Sequence, residues 1–156
     1  MAKPELLAPG AEAPEFSVND QDGNPVHLAD FRGQKVVLYF YPKDNTPGCT
    51  KEACNLRDNH QRLTDEGFVV LGVSTDDEKS HTKFITKYDL PFKLLADTEH
   101  EIVNKYKVWG EKNMYGRKYE GTYRTTYVID EQGKIEHVIK KVKTGEHAEQ
   151  VLALYN

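Results

Sequence analysis

Cysteine is scarce in this chain of 156 residues: Cys49 and Cys54 are its only two. Two thiols cannot form the multi-bridge framework of a small disulfide-stapled fold. The Cys-x-x-Cys pattern of a dithiol oxidoreductase is absent. The six histidines (His27, His60, His81, His100, His137 and His147) are scattered with no close pair, which speaks against a metal-binding set. No apolar run approaches the ~18 residues that a membrane-spanning helix needs. The formal net charge is −4 with the signs mixed, so the basic patch of a nucleic-acid surface is missing. Met1 to Pro9 shows neither a basic stretch followed by an apolar one nor an Arg-rich amphipathic pattern, so no targeting peptide is expected. There is no internal repeat, low-complexity tract or linker. A single domain spanning residues 1–156, with a cytoplasmic location, is the expectation. In that reducing setting a close pair of thiols points to chemistry rather than to a structural staple.

What is present reads as alternating strands and helices. Glu15 to Val18 and Pro25 to Leu28 flank the turn-rich Asp20 to Asn24 and predict a β-hairpin. Lys35 to Tyr41 is a continuous apolar, β-branched and aromatic run, the pattern of a strand buried on both faces. A helix is predicted from about Thr46 to Glu66, stopped by Gly67. Phe68 to Ser74 repeats the buried-strand pattern, and a polar helix follows from about Glu78 to Tyr88. Phe92 to Leu95 reads as a short strand and Glu99 to Tyr106 as a short helix. Tyr123 to Ile129 and Lys134 to Lys140 read as strands joined across Asp130 to Gly133, with a last helix from about Glu146 to Tyr155. The β-α-β start implies a parallel pair with a right-handed crossover, and the late hairpin an antiparallel extension. The expected architecture is α/β: a mixed sheet flanked by helices, with an N-terminal β-hairpin.

The loop that leaves the central strand carries the chemistry. Thr46 suits a helix N-cap and Pro47 the first helical position, which puts Cys49 in the first turn. A helix N-terminus offers unpaired N–H groups and partial positive charge, a setting that favours a thiolate, the reactive form of cysteine. Gly48 leaves room for a small ligand to approach the backbone. If such a thiolate attacks a peroxide, negative charge builds on the departing oxygen, and donors aimed at it lower the barrier. A fixed cation would help further. Arg124, inside the run Tyr123 to Tyr127, is the first candidate, and Arg57, two turns along the Cys49 helix, the second. The product, a sulfenic acid, condenses with a nearby thiol, and Cys54 is the only other one. In an ideal helix positions five apart have Cα atoms roughly 8.7 Å apart, beyond the ~7 Å limit for a disulfide. The two cysteines can bond only if the first turns of their helix unwind.

The stretch Pro42 to Cys54 resembles the active site of the peroxiredoxins, whose signature is Pro-x-x-x-Thr-x-x-Cys. Thr46-Pro47-Gly48-Cys49-Thr50 with the second cysteine Cys54 is similar to the bacterioferritin comigratory protein, or Q-type, subgroup. Phe16-Ser17, Asp22-Gly23, Gly72-Val73-Ser74, Val108 to Lys112, Arg124-Thr125 and Asp130 to Ile135 extend the likeness in order along the chain. The resemblance implies a thioredoxin-like fold and reduction of hydrogen peroxide and organic hydroperoxides, with thioredoxin or a similar dithiol as reductant. It implies that Cys49 is the peroxidatic cysteine and Cys54 the resolving one, joined as an intramolecular disulfide. Thr46 and Arg124 would bind the peroxide and activate Cys49, and Pro42 would shield the thiolate. No cofactor is expected, and no metal on the cysteine spacing and scattered histidines. A monomer or weak dimer is expected. Two other readings stay open on the residues alone. One is a redox sensor or holdase whose binding surface changes when Cys49 oxidises; the other is an interaction module with inert cysteines.

Overall fold

A computed structural model describes residues 4–155. The first three residues of the Met1 to Pro9 segment, and Asn156, lie outside them. The strands are β1 (Ser17–Asn19), β2 (Pro25–His27), β3 (Lys35–Phe40), β4 (Phe68–Ser74), β5 (Lys93–Ala96), β6 (Trp109–Met114), β7 (Arg117–Thr122), β8 (Thr125–Ile129) and β9 (Ile135–Ile139). The helices are α1 (Pro47–Asp58), α2 (His60–Asp65), α3 (Glu78–Tyr88), α4 (Glu101–Lys105) and α5 (His147–Ala153). Five strands form one mixed sheet in the order β5-β4-β3-β8-β9. β3 pairs parallel with β4 and β4 with β5, while β8 runs antiparallel to β3 and β9 to β8. The expected N-terminal hairpin is β1–β2.

β3 lies at the centre of that sheet, and its side chains alternate between two cores because strand residues point to opposite faces in turn. Val36, Leu38 and Phe40 enter one core with Ile102 and Val103 of α4 and with Phe16 and Val26. Val37 and Tyr39, followed by Tyr41, enter the other with Cys49, Ala53 and Leu56 of α1, Phe84 of α3 and Val151 of α5. The stripe Cys49, Ala53, Leu56 has the i, i+4, i+7 spacing of one helix face. Burial of each such aliphatic or aromatic side chain contributes about 1.5–3 kcal/mol. The reacting-cysteine candidate is therefore also a core residue, fixed by the packing that holds α1 on the sheet.

Three readings change. The helix expected over Thr46 to Glu66 is two helices. It breaks at Asn59 (φ −111°, ψ 12°), whose side-chain amide donates to the Asn55 carbonyl at 2.9 Å. Asparagine competes with the helix for backbone partners in this way. Residues 107–122 hold a hairpin, β6–β7, that hydrophobic periodicity did not reveal. Its turn at Tyr115-Gly116 has positive φ at both residues, the geometry of a type I′ turn. Arg124 is not inside a strand: with Tyr123 it links β7 to β8, which begins at Thr125.

Gly72 of β4 lies opposite Tyr39 of β3. A Cβ at Gly72 would come within 2.7 Å of Leu94 Cδ2 and 2.9 Å of the Tyr39 ring. Gly72→Ala is expected to destabilise the fold by about 1–3 kcal/mol through overpacking. Urea unfolding checks this, and an unchanged midpoint would show that the Tyr39 ring moves aside freely.

Candidate active site

The chain leaves β3 at Phe40, passes through Tyr41 to Asn45 and enters α1 with Thr46 as N-cap and Pro47 as the first helical residue. Proline fits there because its missing N–H would have had no partner. Thr50 N–H already reaches the Thr46 carbonyl (2.8 Å). Helix geometry therefore leaves the N–H groups of Gly48 and Cys49 without intrahelical acceptors. The Thr46 hydroxyl does not cap the helix; it donates to the Lys43 carbonyl at 2.8 Å and tightens the loop. Pro42 is half-buried in the same loop.

Cys49 is 1% exposed and its thiol is free. Arg124 reaches it across 75 residues of sequence, with Nη2 donating to Sγ at 3.3 Å. The other guanidinium nitrogen, Nη1, donates to Oε1 of Glu52 at 2.6 Å. Glu52 lies three residues after Cys49 in α1, fully buried. Gly48 also sits against the guanidinium. A Cβ there would approach Arg124 Nη2 to 3.2 Å, so glycine makes room for the guanidinium.

Behind Glu52 lies a buried histidine. His147 of α5 has Nε2 at 2.7 Å from the Thr126 hydroxyl and Nδ1 at 2.9 Å from Gln150 Oε1. Burial pushes its pKa down, against the Gln150 hydrogen bond, so the ring is neutral at pH 7. The network then assigns the proton to Nδ1, donating to Gln150, and leaves Nε2 to accept from Thr126. Glu52 Oε2 faces that nitrogen at 3.6 Å and has no hydrogen-bond partner among the described residues. A carboxylate oxygen is poorly served there. Burial drives the Glu52 pKa up to about 7, against the pull of the Arg124 charge and hydrogen bond. Burial also opposes the Arg124 charge, but Glu52 and Cys49 outweigh it and hold its pKa above the ordinary arginine value.

The structure thus brings Cys49, Arg124 and the start of α1 together and adds Glu52 and His147, which sequence reasoning missed. Arg57 stands apart: it donates to the Tyr88 carbonyl at 2.8 Å and to Asp58 at 2.9 Å, beside Cys54 rather than Cys49. Cys54 is half-buried and free, on the same unbroken helix as Cys49. Among the described residues, no group of three or more His, Cys, Asp or Glu could hold a metal ion, and no helix is long and apolar enough to cross a membrane.

The AhpC/TSA family model matches residues 9–138. Peroxiredoxin Bcp of Escherichia coli K12 is 49% identical over 146 residues, covering 94% of each chain. Peroxiredoxin Bcp of Bacillus subtilis is 42% identical over 143 residues, covering 92% of this chain and 91% of that one. Among solved structures, the Xanthomonas campestris bacterioferritin comigratory protein, studied for alkyl peroxide reduction, superposes with a TM-score of 0.87. It is 33% identical, over 94% of this chain and 96% of that one. Peroxidoxin BcpB of Mycobacterium tuberculosis gives a TM-score of 0.83 at 32% identity, over 94% and 95%.

A buried carboxyl with a raised pKa binds its proton more tightly folded than unfolded. Its contribution to stability is full below the unfolded value of 4.5 and is lost as pH rises through about 7. Glu52→Gln removes that dependence. Wild-type stability, measured relative to Glu52→Gln by urea denaturation, should fall by up to about 3 kcal/mol between pH 4.5 and pH 8. Parallel pH profiles for the two proteins would show that Glu52 does not titrate in this range.

Proposed function

This chain belongs to the AhpC/TSA family and is a peroxiredoxin, and we propose that it reduces hydroperoxides at Cys49 with Cys54 as the resolving thiol. The observation that carries this reading is the 3.3 Å contact from Arg124 to the Cys49 sulfur at the open end of α1. The guanidinium stabilises the thiolate, and a peroxide oxygen beside it can accept from the Gly48 and Cys49 N–H groups. These are preorganised donors in a largely desolvated site, where they act most strongly.

The thiolate attacks one peroxide oxygen as the O–O bond breaks. The departing alkoxide or hydroxide takes up a proton and leaves as an alcohol or water, and Cys49 becomes a sulfenic acid. The Cys54 thiolate then attacks the Cys49 sulfur, the S–O bond breaks, the oxygen leaves as hydroxide and takes up a proton to become water, and a Cys49–Cys54 disulfide remains. Glu52 aims the arginine, Thr46 holds the loop and offers its hydroxyl oxygen to the peroxide beside Arg124, and Gly48 admits the guanidinium; Pro42 screens the thiolate from that same loop. Thioredoxin or a similar dithiol is the proposed reductant. The partial exposure of Cys54 favours it, because thiol–disulfide exchange needs access to a sulfur atom. A single domain, acting in the cytoplasm as a monomer or weak dimer, completes the proposal.

Stopped-flow peroxide reactions test the assignment. Cys49→Ser should abolish peroxide consumption. Cys54→Ser should consume about one equivalent and then stall as a sulfenic acid. Arg124→Met should slow the peroxide step by about 10²–10³-fold, the usual cost of removing a charge-stabilising donor. Turnover retained in Cys54→Ser with a dithiol reductant would remove Cys54 from the cycle. A wild type that consumes only one equivalent under the same conditions would favour the redox-switch reading.

A further inference from the structure

A second buried polar network lies outside the site just described, centred on Asp44. This residue belongs to the loop between β3 and α1, two positions before the N-cap, and is 7% exposed. Its carboxylate is fully engaged. Oδ1 accepts from the Tyr41 hydroxyl at 2.6 Å, and Oδ2 accepts from the Ser80 hydroxyl at 2.8 Å. Oδ2 also lies 2.7 Å from His81 Nδ1. The Asp44 N–H donates to Asp76 Oδ2 at 2.8 Å. His81, with no exposed surface, has its other nitrogen 2.9 Å from the Leu95 carbonyl. A carbonyl can only accept, so Nε2 carries a proton and donates to it. The loop is thereby tied to α3, to the end of β4 and to β5.

Downstream, α1 is fastened a second time. Asn55 donates to the Gly145 carbonyl at 3.0 Å and accepts from the Ala148 N–H at 2.8 Å. Arg57 holds the Tyr88 carbonyl. Between these two anchorages lie residues 45–54, which include Cys49, Glu52 and, directly against the second anchorage, Cys54. Asn45, the first of them, is exposed and has φ +58°. Five residues from Asp44 to Cys49 can span up to about 17 Å when extended, ample slack for Cys49 to approach a stationary Cys54. Leaving a buried polar group without its hydrogen-bond partner is costly, so the Asp44 network is ill suited to opening in every turnover.

Resting on the assignment of Cys49 and Cys54 above, we propose that Asp44, held by His81, Ser80 and Tyr41, is a positioning residue. It fixes the Pro42–Thr46 loop under Cys49 for the peroxide step and confines the unwinding that allows the disulfide to residues 45–53. Cys49 moves and Cys54 does not. Asp44 touches neither thiol nor peroxide; it acts through the loop.

The two steps separate this role from a general structural one. In Asp44→Asn, rapid-mixing kinetics should show the second-order peroxide reaction slowed about tenfold or more, the scale of a misplaced reacting group. The first-order formation of the Cys49–Cys54 disulfide should be unchanged or faster. Equal slowing of both steps, or no change in either, overturns the proposal. Hydrogen exchange on wild type needs no variant. On oxidation the amides of Thr50 to Ala53, which close the first turns of α1, should lose protection while those of Tyr41, Asp44 and His81 keep theirs; loss of protection at Asp44 and His81 overturns it. Cys49→Ser, run in parallel, distinguishes a failure of the underlying assignment: peroxide consumption surviving in that variant would mean that Cys49 is not the reacting thiol.

Discussion

One guanidinium shared between a thiol and a carboxyl is the interaction on which the site depends. Arg124 gives one nitrogen to Cys49 and another to Glu52. Both partners belong to the same helix, so the arginine is aimed by the helix that it serves. Each group alone would be costly to bury: removing one member of a buried ion pair typically costs about 3–5 kcal/mol. Together they reduce that cost without cancelling it, and the residual strain is visible in Glu52. Burial raises its carboxyl to about 7 despite the charge and hydrogen bond of the arginine, and its second oxygen faces His147 with no hydrogen-bond partner among the described residues. Near neutral pH the pair is balanced between a full ion pair and a protonated carboxyl, a balance set by burial rather than by solvent.

The same helix carries two incompatible demands. As a helix, α1 presents its N–H groups and packs Cys49, Ala53 and Leu56 into the core. In that form Cys49 and Cys54 lie too far apart to bond. Forming the disulfide requires the N-terminal half of α1 to surrender both its packing and the Glu52–Arg124 pair. The fold holds that half by the burial of Cys49 and Ala53 together with the charge cluster, and fastens the loop before it and the helix after it with independent hydrogen bonds. Local opening between fixed ends costs far less than global unfolding.

How much of this was legible in the sequence follows from the range of the interactions. The loop and helix start around Cys49 are encoded by neighbours: Thr46, Pro47 and Gly48 each carry a local signal. The central strand was equally plain, since a run such as Val36 to Tyr41 has few other uses. Arg124 stood out as a cation inside the otherwise apolar run Tyr123 to Tyr127, and the family resemblance supported it, but no local pattern links residues 75 apart and shows the contact itself. Glu52 was within reach, three residues after Cys49 and so on the same helix face. It was hidden by the reasonable default that a glutamate in a charged stretch faces water. Asp44, His81 and His147 were hidden for the same reason. The β6–β7 hairpin escaped because neither of its faces is consistently apolar, and the break at Asn59 because a side-chain bond to Asn55 leaves no mark on periodicity.

The central claim is that Cys49 reacts while α1 is folded and is resolved by Cys54 only after α1 opens. Peptide mapping by mass spectrometry, on protein quenched at intervals after one equivalent of peroxide, tests it most directly when paired with far-ultraviolet circular dichroism. The account predicts a Cys49 sulfenic acid at full helix content, followed by a Cys49–Cys54 disulfide that appears together with loss of helical signal. An intramolecular disulfide formed with no change in helix content, or oxidation arriving first at Cys54, would contradict it.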